Sequence, residues 1–231
     1  MTDLILAFGA GGRVYLGGSQ RRTARYDGFA GPEYRHTLGA RRLGRRKQFD
    51  YSVEAMTQWG HVAKHDIRAG AFAVDGWWNA RSGTRIGLKA DVTTGDRNPH
   101  DQRHETFIPV FTGSAYSGRI ALIGPSNSIA FSPMAEIPLN GRITLRPDVT
   151  FFWRESVHDG IYSSLGIVLR SGAESTARFI GTHSTMQVDD RIDAHTLVSI
   201  SYTHFAAGEF IKDTPPGKNT DYFTSFVTYR F

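Results

Sequence analysis

RITLRPDVTFFWR, residues 142–154, is the stretch that decides the fold class, because its apolar and polar residues alternate. The apolar set is Ile143, Leu145, Val149, Phe151 and Trp153, and the polar set is Arg142, Thr144, Arg146, Asp148, Thr150 and Arg154. A period of two predicts a β-strand with one apolar and one charged face. Pro147 falls on the apolar face and predicts an edge, a bulge or a gap in the ladder.

The same alternation recurs along the chain. Regular strands are predicted at 49–59, 84–92, 195–202 and 223–231, and less regular ones near 11–19, 33–44, 65–76, 127–137 and 178–190. The total is roughly ten strands of about 9–13 residues, the length with which a tilted strand crosses a bilayer. The fold class predicted is therefore all-β.

Composition excludes several classes. The 231 residues include no cysteine, which rules out disulfides and thiolate metal sites. No apolar run approaches the roughly 18 residues of a membrane-spanning helix. The start, MTDLILAFGAGG, lacks the charged and apolar regions of a signal peptide. A net charge of +5 suits a polyanionic partner.

The predicted connections alternate in length. Short ones lie near 44–47, 77–83, 138–141 and 190–193, longer ones near 20–32, 94–126, 155–177 and 207–220, and a brief turn at 61–64. If each strand reverses direction, the long loops gather at one end of the sheet.

Two all-β architectures fit this pattern, and they differ in where the apolar face points. A soluble sandwich turns it inward, whereas a transmembrane barrel turns it towards lipid. Aromatic residues near strand ends, long strands and charges of both signs on the opposite face favour an antiparallel transmembrane β-barrel of outer-membrane type. A soluble all-β carbohydrate-binding module is the alternative.

Several irregular strings carry a family resemblance. TGDRNPHDQRHETFIPVF (94–111), IGPSN (123–127), FFWRESVHDGIY (151–162), YTHFAAGEFIKDTPPGKNTDYF (202–223) and the final YRF resemble the C-terminal part of the alginate export family of outer-membrane β-barrels. The resemblance spans most of the chain from about Glu33 onward. It implies a barrel in the Gram-negative outer membrane that passes an anionic uronate polysaccharide through an arginine-rich lumen.

Family members are much longer than this chain. Residues 1–231 are therefore expected to form one alginate-export-like domain that is truncated at its N-terminus, a partial barrel with open edges. Its partners would be anionic polysaccharide or solute, outer-membrane lipid, and the missing N-terminal strands or other envelope secretion components. The C-terminal Phe231 resembles the signal that outer-membrane assembly machinery reads.

The function expected is passive export or diffusion of an alginate-like polysaccharide, or of small anionic solutes, without catalysis or cofactor. Guanidinium groups can hold a uronate carboxylate through paired hydrogen bonds. The candidate lumen anion-binding residues lie opposite the apolar faces: Arg35, Arg41, Arg85, Lys89, Arg142, Arg146 and Arg154. Solvated or mutually paired charges are the alternative interpretation of each.

Other motifs carry weaker signals. Asp96, Asn98, Asp101 and Glu105 could bind calcium, but Asx-turns explain them better. His100 and His104 lack the glutamate of a zinc helix, so no metal site is predicted. Glu155 and Asp159 could form the carboxylate pair of a sugar hydrolase, a hypothesis that nothing else favours.

A basic run follows residue 40, with Arg41, Arg42, Arg45 and Arg46. It borders a predicted short turn, which favours a position beside the membrane over nucleic-acid binding. No nucleic-acid partner is predicted.

Overall fold

The computed structural model describes residues 2–8, 11–109 and 123–231, and only the backbone in the first range. The strands are β1 (Thr2–Phe8), β2 (Gly12–Arg25), β3 (Ala30–Arg46), β4 (Phe49–Val62), β5 (His65–Asn79), β6 (Arg85–Thr93), β7 (Arg103–His104), β8 (Ser128–Pro138), β9 (Ile143–Trp153), β10 (Ile161–Tyr162), β11 (Val168–Arg170), β12 (Phe179–Arg191), β13 (Thr196–Ala207) and β14 (Thr220–Tyr229). A 3-10 turn (Gly172–Glu174) and a short helix α1 (Glu209–Asp213) lie in the connections. No helix in these ranges is long and apolar enough to span a membrane.

One antiparallel sheet contains almost every strand, in the order β1-β2-β3-β4-β5-β6-β8-β9-β12-β13-β14. The short β7 pairs with β5 in parallel, and β10 and β11 form a separate hairpin. Within the described ranges the sheet is not closed, since β1 and β14 each pair on one side only. The all-β class and the roughly ten long strands are confirmed, whereas β1 and the short strands were not predicted.

Three of the four predicted long connections are confirmed, but the one predicted near 20–32 is only the short turn 26–29, because β2 continues to Arg25. Turns such as Lys47–Gln48 and Ala63–Lys64 are tight, and Lys47 (φ 54°) and Ala63 (φ 51°) adopt the left-handed backbone that two-residue hairpins require. The long connections 94–127, 154–178 and 208–219 lie at the end of the sheet opposite to Lys47–Gln48, and the tight turns 26–29 and Ala63–Lys64 share that end with them. We call the two ends the short-turn end, reached by β3 at Arg46, and the long-loop end. Residues 110–122, in the middle of the predicted 94–126 loop, lie outside the described residues.

Pro147 produces a gap in one ladder, one of the three outcomes predicted for it. β9 pairs continuously with β12, where Pro147 faces Met186. Its pairing with β8 is interrupted around Pro147, between Met134–Asp148 and Ile137–Leu145, and a second gap, between Phe131–Phe151 and Met134–Asp148, contains Pro133 of β8. A proline has no N–H to donate, so one neighbouring strand is left without a bond there.

The apolar face of the sheet is exposed. Val53, Leu88, Phe131 and Met186 alternate with polar neighbours on their strands and are 37%, 45%, 41% and 47% exposed. The opposite, polar face is the one that is covered, and on it Arg35, Thr37, Gln58 and Asp91 are at most 6% exposed. A soluble sandwich requires the reverse arrangement, so the inverted faces favour the membrane architecture over the soluble module.

Exposed aromatic residues lie near both ends of the apolar face. At the short-turn end they are Phe49, Trp78, Tyr229 and Phe231, and towards the long-loop end Tyr34, Trp59 and Tyr202. Aromatic rings favour the two membrane–water interfaces because one part of the side chain is apolar and the other polar. The distribution is that of two interfacial girdles.

Adjacent residues of β8 provide a test of the face assignment. Phe131→Arg places a cation on the exposed apolar face, and it should lower the free energy of unfolding from lipid vesicles by about 2–4 kcal/mol. Ser132→Arg places the same charge on the polar face and should cost less than about 1 kcal/mol. Urea titration of the two vesicle-inserted variants measures both values. Equal costs, or a larger cost for Ser132→Arg, would contradict the assignment.

Candidate functional site

A chain of ion pairs crosses the polar face near the short-turn end. Arg85 Nη1 lies 2.9 Å from Glu136 Oε2, and Arg146 Nη1 lies 2.7 Å from Glu136 Oε1. Arg146 Nε lies 2.7 Å from Asp189 Oδ2. At the other side of Arg85, Asp50 Oδ2 is 3.9 Å from Nη2. Charges of alternating sign thus connect β4, β6, β8, β9 and β12.

Strand register brings these charges together. Arg85 is directly opposite Glu136 across the β6–β8 ladder, and Gln187 is opposite Arg146 across β9–β12. Gln187 donates to Asp189 at 2.5 Å, and Arg85 donates to Asn79 at 2.8 Å. Both guanidiniums remain about one-third exposed, so each pair contributes little stability and stays within reach of a solute.

Glu136 accepts hydrogen bonds from two arginines on different strands. Its two carboxylate oxygens each take a guanidinium N–H from a different strand. A carboxylate held by two guanidiniums is a strong charge-assisted arrangement. The position between Arg85 and Arg146 therefore fits one carboxylate, and in the structure the Glu136 side chain occupies it.

A shallow depression adjoins this chain on the same face. It is lined in part by Arg41, Glu54, Asp75 and Lys89. Arg41 donates to the hydroxyl of Ser52 at 3.1 Å and is otherwise exposed, and Lys89 Nζ lies 4.0 Å from Asp91. Cations and carboxylates alternate here as well, which makes the surface hydrated and polar without one dominant charge.

Arg35 has a different environment, because it is buried. Its guanidinium donates to the Glu33 carboxylate at 3.2 Å, to Gln58 Oε1 at 2.6 Å, to the Tyr26 hydroxyl at 2.7 Å and to the Thr106 carbonyl at 3.1 Å. Buried charges are tolerated only with such complete pairing. Arg35 is thus an anchor for the 94–127 loop.

Gln58 fixes the same loop against the polar face. Its amide donates to the Ile108 carbonyl at 2.6 Å, and its oxygen accepts the Ile108 N–H at 3.0 Å. Phe107, between these contacts, is 1% exposed. The segment Thr106–Ile108 therefore lies over the polar face at its long-loop end.

Asp159 joins the two longest loops. Its Oδ2 accepts the Asp96 N–H at 2.9 Å and the Thr106 hydroxyl at 2.6 Å. Its Oδ1 accepts the Gly160 N–H at 2.8 Å and the Tyr162 hydroxyl at 2.5 Å. Burial raises the pKa of Asp159 to about 6 although these donors oppose the shift. Asp159 is a buried structural acceptor.

Two more side chains complete the loop anchors. Asn127 donates to the carbonyls of Ser156, Asp159 and Gly160 at 2.9–3.0 Å and accepts the Ser156 N–H at 2.6 Å. Arg154 is 0% exposed and donates to four carbonyls, those of Val157, Asp159, Ser175 and Ala177. Backbone groups of an irregular loop are satisfied in this way without a ladder.

The predicted lining residues therefore separate into groups. The structure brings Arg85 and Arg146 together and places Arg41 and Lys89 beside one depression. Corrections are needed for the other three. Arg35 and Arg154 are buried and bonded within the loop anchors, and neither is placed to meet a solute.

Arg142 was also misplaced by the alternation. It lies in the turn before β9, where Asn140 Oδ1 accepts its N–H at 2.8 Å, and it pairs with Asp190 at the exposed rim. Its side chain is 59% exposed. The alternation of faces applies only to strand backbone, so a turn residue need not follow the period of the strand that comes after it.

Sequence reasoning missed Glu136, Asp189 and Asn79. The sequence does contain a signal for Glu136: it is two and four residues from Met134 and Ser132, so it lies with them on the polar face of β8. Which arginine it faces depends on the register between strands, and residues 94–127 separate β6 from β8 in sequence.

The structure also shows the contacts of the loop residues that were considered as metal or catalytic sites. Asp96, Asn98 and Asp101 each accept a backbone N–H two residues further along, at 3.3, 3.2 and 2.7 Å, which confirms the Asx-turn interpretation. Buried His104 lies 3.2 Å from Asp96, and burial lowers the pKa of this histidine. Glu155 accepts from Gly95 and Arg97, while Asp159 is enclosed.

Comparison with known proteins gives one family. The family model described as alginate export matches residues 9–225. No curated protein matches the chain.

Asp159→Asn should loosen the two loops, because the new amide hydrogens would face two of the four present donors. In the wild type the raised pKa makes the folded state bind a proton more readily than the unfolded state. This stabilising contribution is present below about pH 4 and is lost as the pH rises through about 6. The variant should lack that pH dependence and be cleaved severalfold faster by protease in residues 94–109. Thr176→Val, at an exposed loop site, is the control; cleavage and pH dependence unchanged from wild type in Asp159→Asn would contradict the anchor role.

Proposed function

The chain belongs to the alginate export family, and we propose that its polar face lines a passive channel for an anionic, alginate-like polysaccharide or smaller anionic solutes. The family's role is alginate export through an outer-membrane channel. In this proposal the apolar face contacts lipid and the strands form a transmembrane β-barrel wall. The long-loop end faces the cell exterior, as long loops do in bacterial barrels.

The observation that carries the proposal is the contact of Arg85 and Arg146 with the two oxygens of Glu136. Each repeating sugar of a polyuronate carries one carboxylate with the same geometry. A solute carboxylate can exchange with Glu136 for the two guanidiniums, so binding at this point is reversible and weak, as conduction requires. Arg41 and Lys89 offer further cations on the same face.

The open edges set a requirement on the complete pore. Among the described residues, β1 and β14 have no partner on their outer edges, and the backbone groups there must be bonded for the wall to be stable in hydrocarbon. We propose that further strands, or another envelope secretion component, complete the wall at these edges.

Transport of this kind makes and breaks no covalent bond, so the proposal includes no catalytic residue. The carboxylates of Glu155 and Asp159 support this view. All contacts of Asp159 are to loop groups, and it is 2% exposed, which leaves no space for a sugar ring beside it. The soluble carbohydrate-binding alternative would expose the apolar face to water, which disfavours it.

Glu136→Gln tests the lining directly. The substitution removes the competing carboxylate and leaves Arg85 and Arg146 without their shared anion, so anion selectivity should rise severalfold and oligouronate should block ion current at lower concentration. The protein is reconstituted in planar bilayers, and reversal potentials in a KCl gradient and block by oligouronate are measured.

Asp190→Asn is the matched control, because Asp190 pairs with Arg142 at the exposed rim. It should change both quantities little. Arg85→Gln with Arg146→Gln should lower selectivity and weaken the block. Unchanged selectivity and block in both Glu136→Gln and the double variant would overturn the proposed lining.

A further inference from the structure

Arginines interrupt the apolar face at its long-loop end, among them Arg68 and Arg103. Arg68 shares its side of β5 with Phe72 and Val74 and is exposed. Arg103 pairs with Asp66 across the β5–β7 ladder, which places it on the same side, and it is exposed too. We call Arg68 and Arg103 the outer arginine pair. Asp66, opposite Arg103 and two residues before Arg68, is their acidic neighbour on this side of the sheet.

Aromatic and imidazole rings lie beside the outer arginine pair. The register places His36, Trp59 and Arg68 in one row across β3, β4 and β5. The rings of His36 and Trp59 stack at 5.7 Å. In the next row, the rings of Tyr34 and His61 lie 5.0 Å apart. These four rings, which carry hydrogen-bond donors, form a ring shelf in the same two rows as the outer arginine pair.

The position of Arg68 along the strand matches a membrane boundary. From Arg68 to Trp78 the chain runs about 33 Å at about 3.3 Å per residue, which a strand tilt of about 40° reduces to about 25 Å along the membrane normal. That is the height of the apolar band of an outer-membrane barrel. If Trp78 is at one interface, Arg68 is at the other, where lipid headgroups lie.

Among the described side chains, the exposed arginines of the apolar face lie in the sector from β2 to β7, where Arg25, Arg42 and Arg46 accompany the outer arginine pair. The outward positions of β6, β8 and β9, strands that the structure describes in full, carry uncharged residues such as Leu88, Phe131 and Val149. On β14 the outward charge at the long-loop end is acidic, at Asp221. A general interfacial tendency would distribute cations around the whole sheet, so the clustering indicates a specific anionic partner.

We propose that the outer arginine pair binds the phosphate groups of a phosphorylated glycolipid in the outer leaflet. Guanidinium and phosphate form paired hydrogen bonds, and the apolar surface below Arg68 accommodates the acyl chains. The sugar of the headgroup lies on the ring shelf. The inference rests on the membrane orientation in the proposed function.

The test compares two arginine pairs on the same face. The full chain in detergent micelles is mixed with diphosphoryl lipid A, with dephosphorylated lipid A or with inorganic phosphate, and bound lipid is quantified by native mass spectrometry. Arg68→Gln with Arg103→Gln should lower binding of diphosphoryl lipid A roughly tenfold. The control, Arg42→Gln with Arg46→Gln, removes two exposed arginines at the short-turn end and should leave binding unchanged.

Wild-type protein should bind the dephosphorylated lipid much less than the phosphorylated one, and millimolar inorganic phosphate should compete little. Equal losses in the two double variants, equal binding of both lipids, or full displacement by inorganic phosphate would each overturn the inference. Oligouronate block of the channel, measured on the same variants, should not change. Loss of lipid selectivity with the block intact would therefore refute this inference alone, and an absent block with selective lipid binding would refute only the proposed lining.

Discussion

In hydrocarbon, each backbone N–H and C=O must be bonded within the protein, because no water can replace a missing partner. The antiparallel ladders from β2 to β14 satisfy this constraint in the interior of the sheet. They also force side chains to alternate between two faces, so a sequence with period two separates into an apolar and a polar surface. Phe131 is exposed and its neighbour Ser132 is half-buried, as expected if the apolar surface faces outward.

The charged side chains of the polar face are paired in two different ways. Near the short turns, Arg85, Glu136 and Arg146 satisfy one another and stay open to solvent. Near the long loops, Arg35 and Asp159 are enclosed, and each uses its full set of bonds to hold irregular backbone in place. One face thus has an adaptable half, suited to passing a solute, and a fixed half, suited to holding loops over it.

Much of this fold follows from local sequence. Alternation identified the long strands and both faces, since these depend on residues one and two positions apart. The fates of individual arginines depend on distant partners: Arg35 is buried by Thr106, and Arg154 by carbonyls that follow it in an irregular loop. Arg142 was misplaced because the Asn140 side chain ends the turn one residue later than the pattern suggested. Such contacts leave no periodic signal.

Single-cysteine labelling tests the central claim, the orientation of the two faces, and a chain without native cysteine is suited to it. Cysteines at Val53, Ala55 and Thr57 of β4 should resist water-soluble maleimide in the inserted protein. A fluorophore attached to the same cysteines before insertion should be quenched by lipid-attached quenchers. Cysteines at Ser52, Glu54 and Met56, on the other face of the same strand, should react with maleimide and escape quenching. Absence of this alternation, or its inverse, would contradict the account.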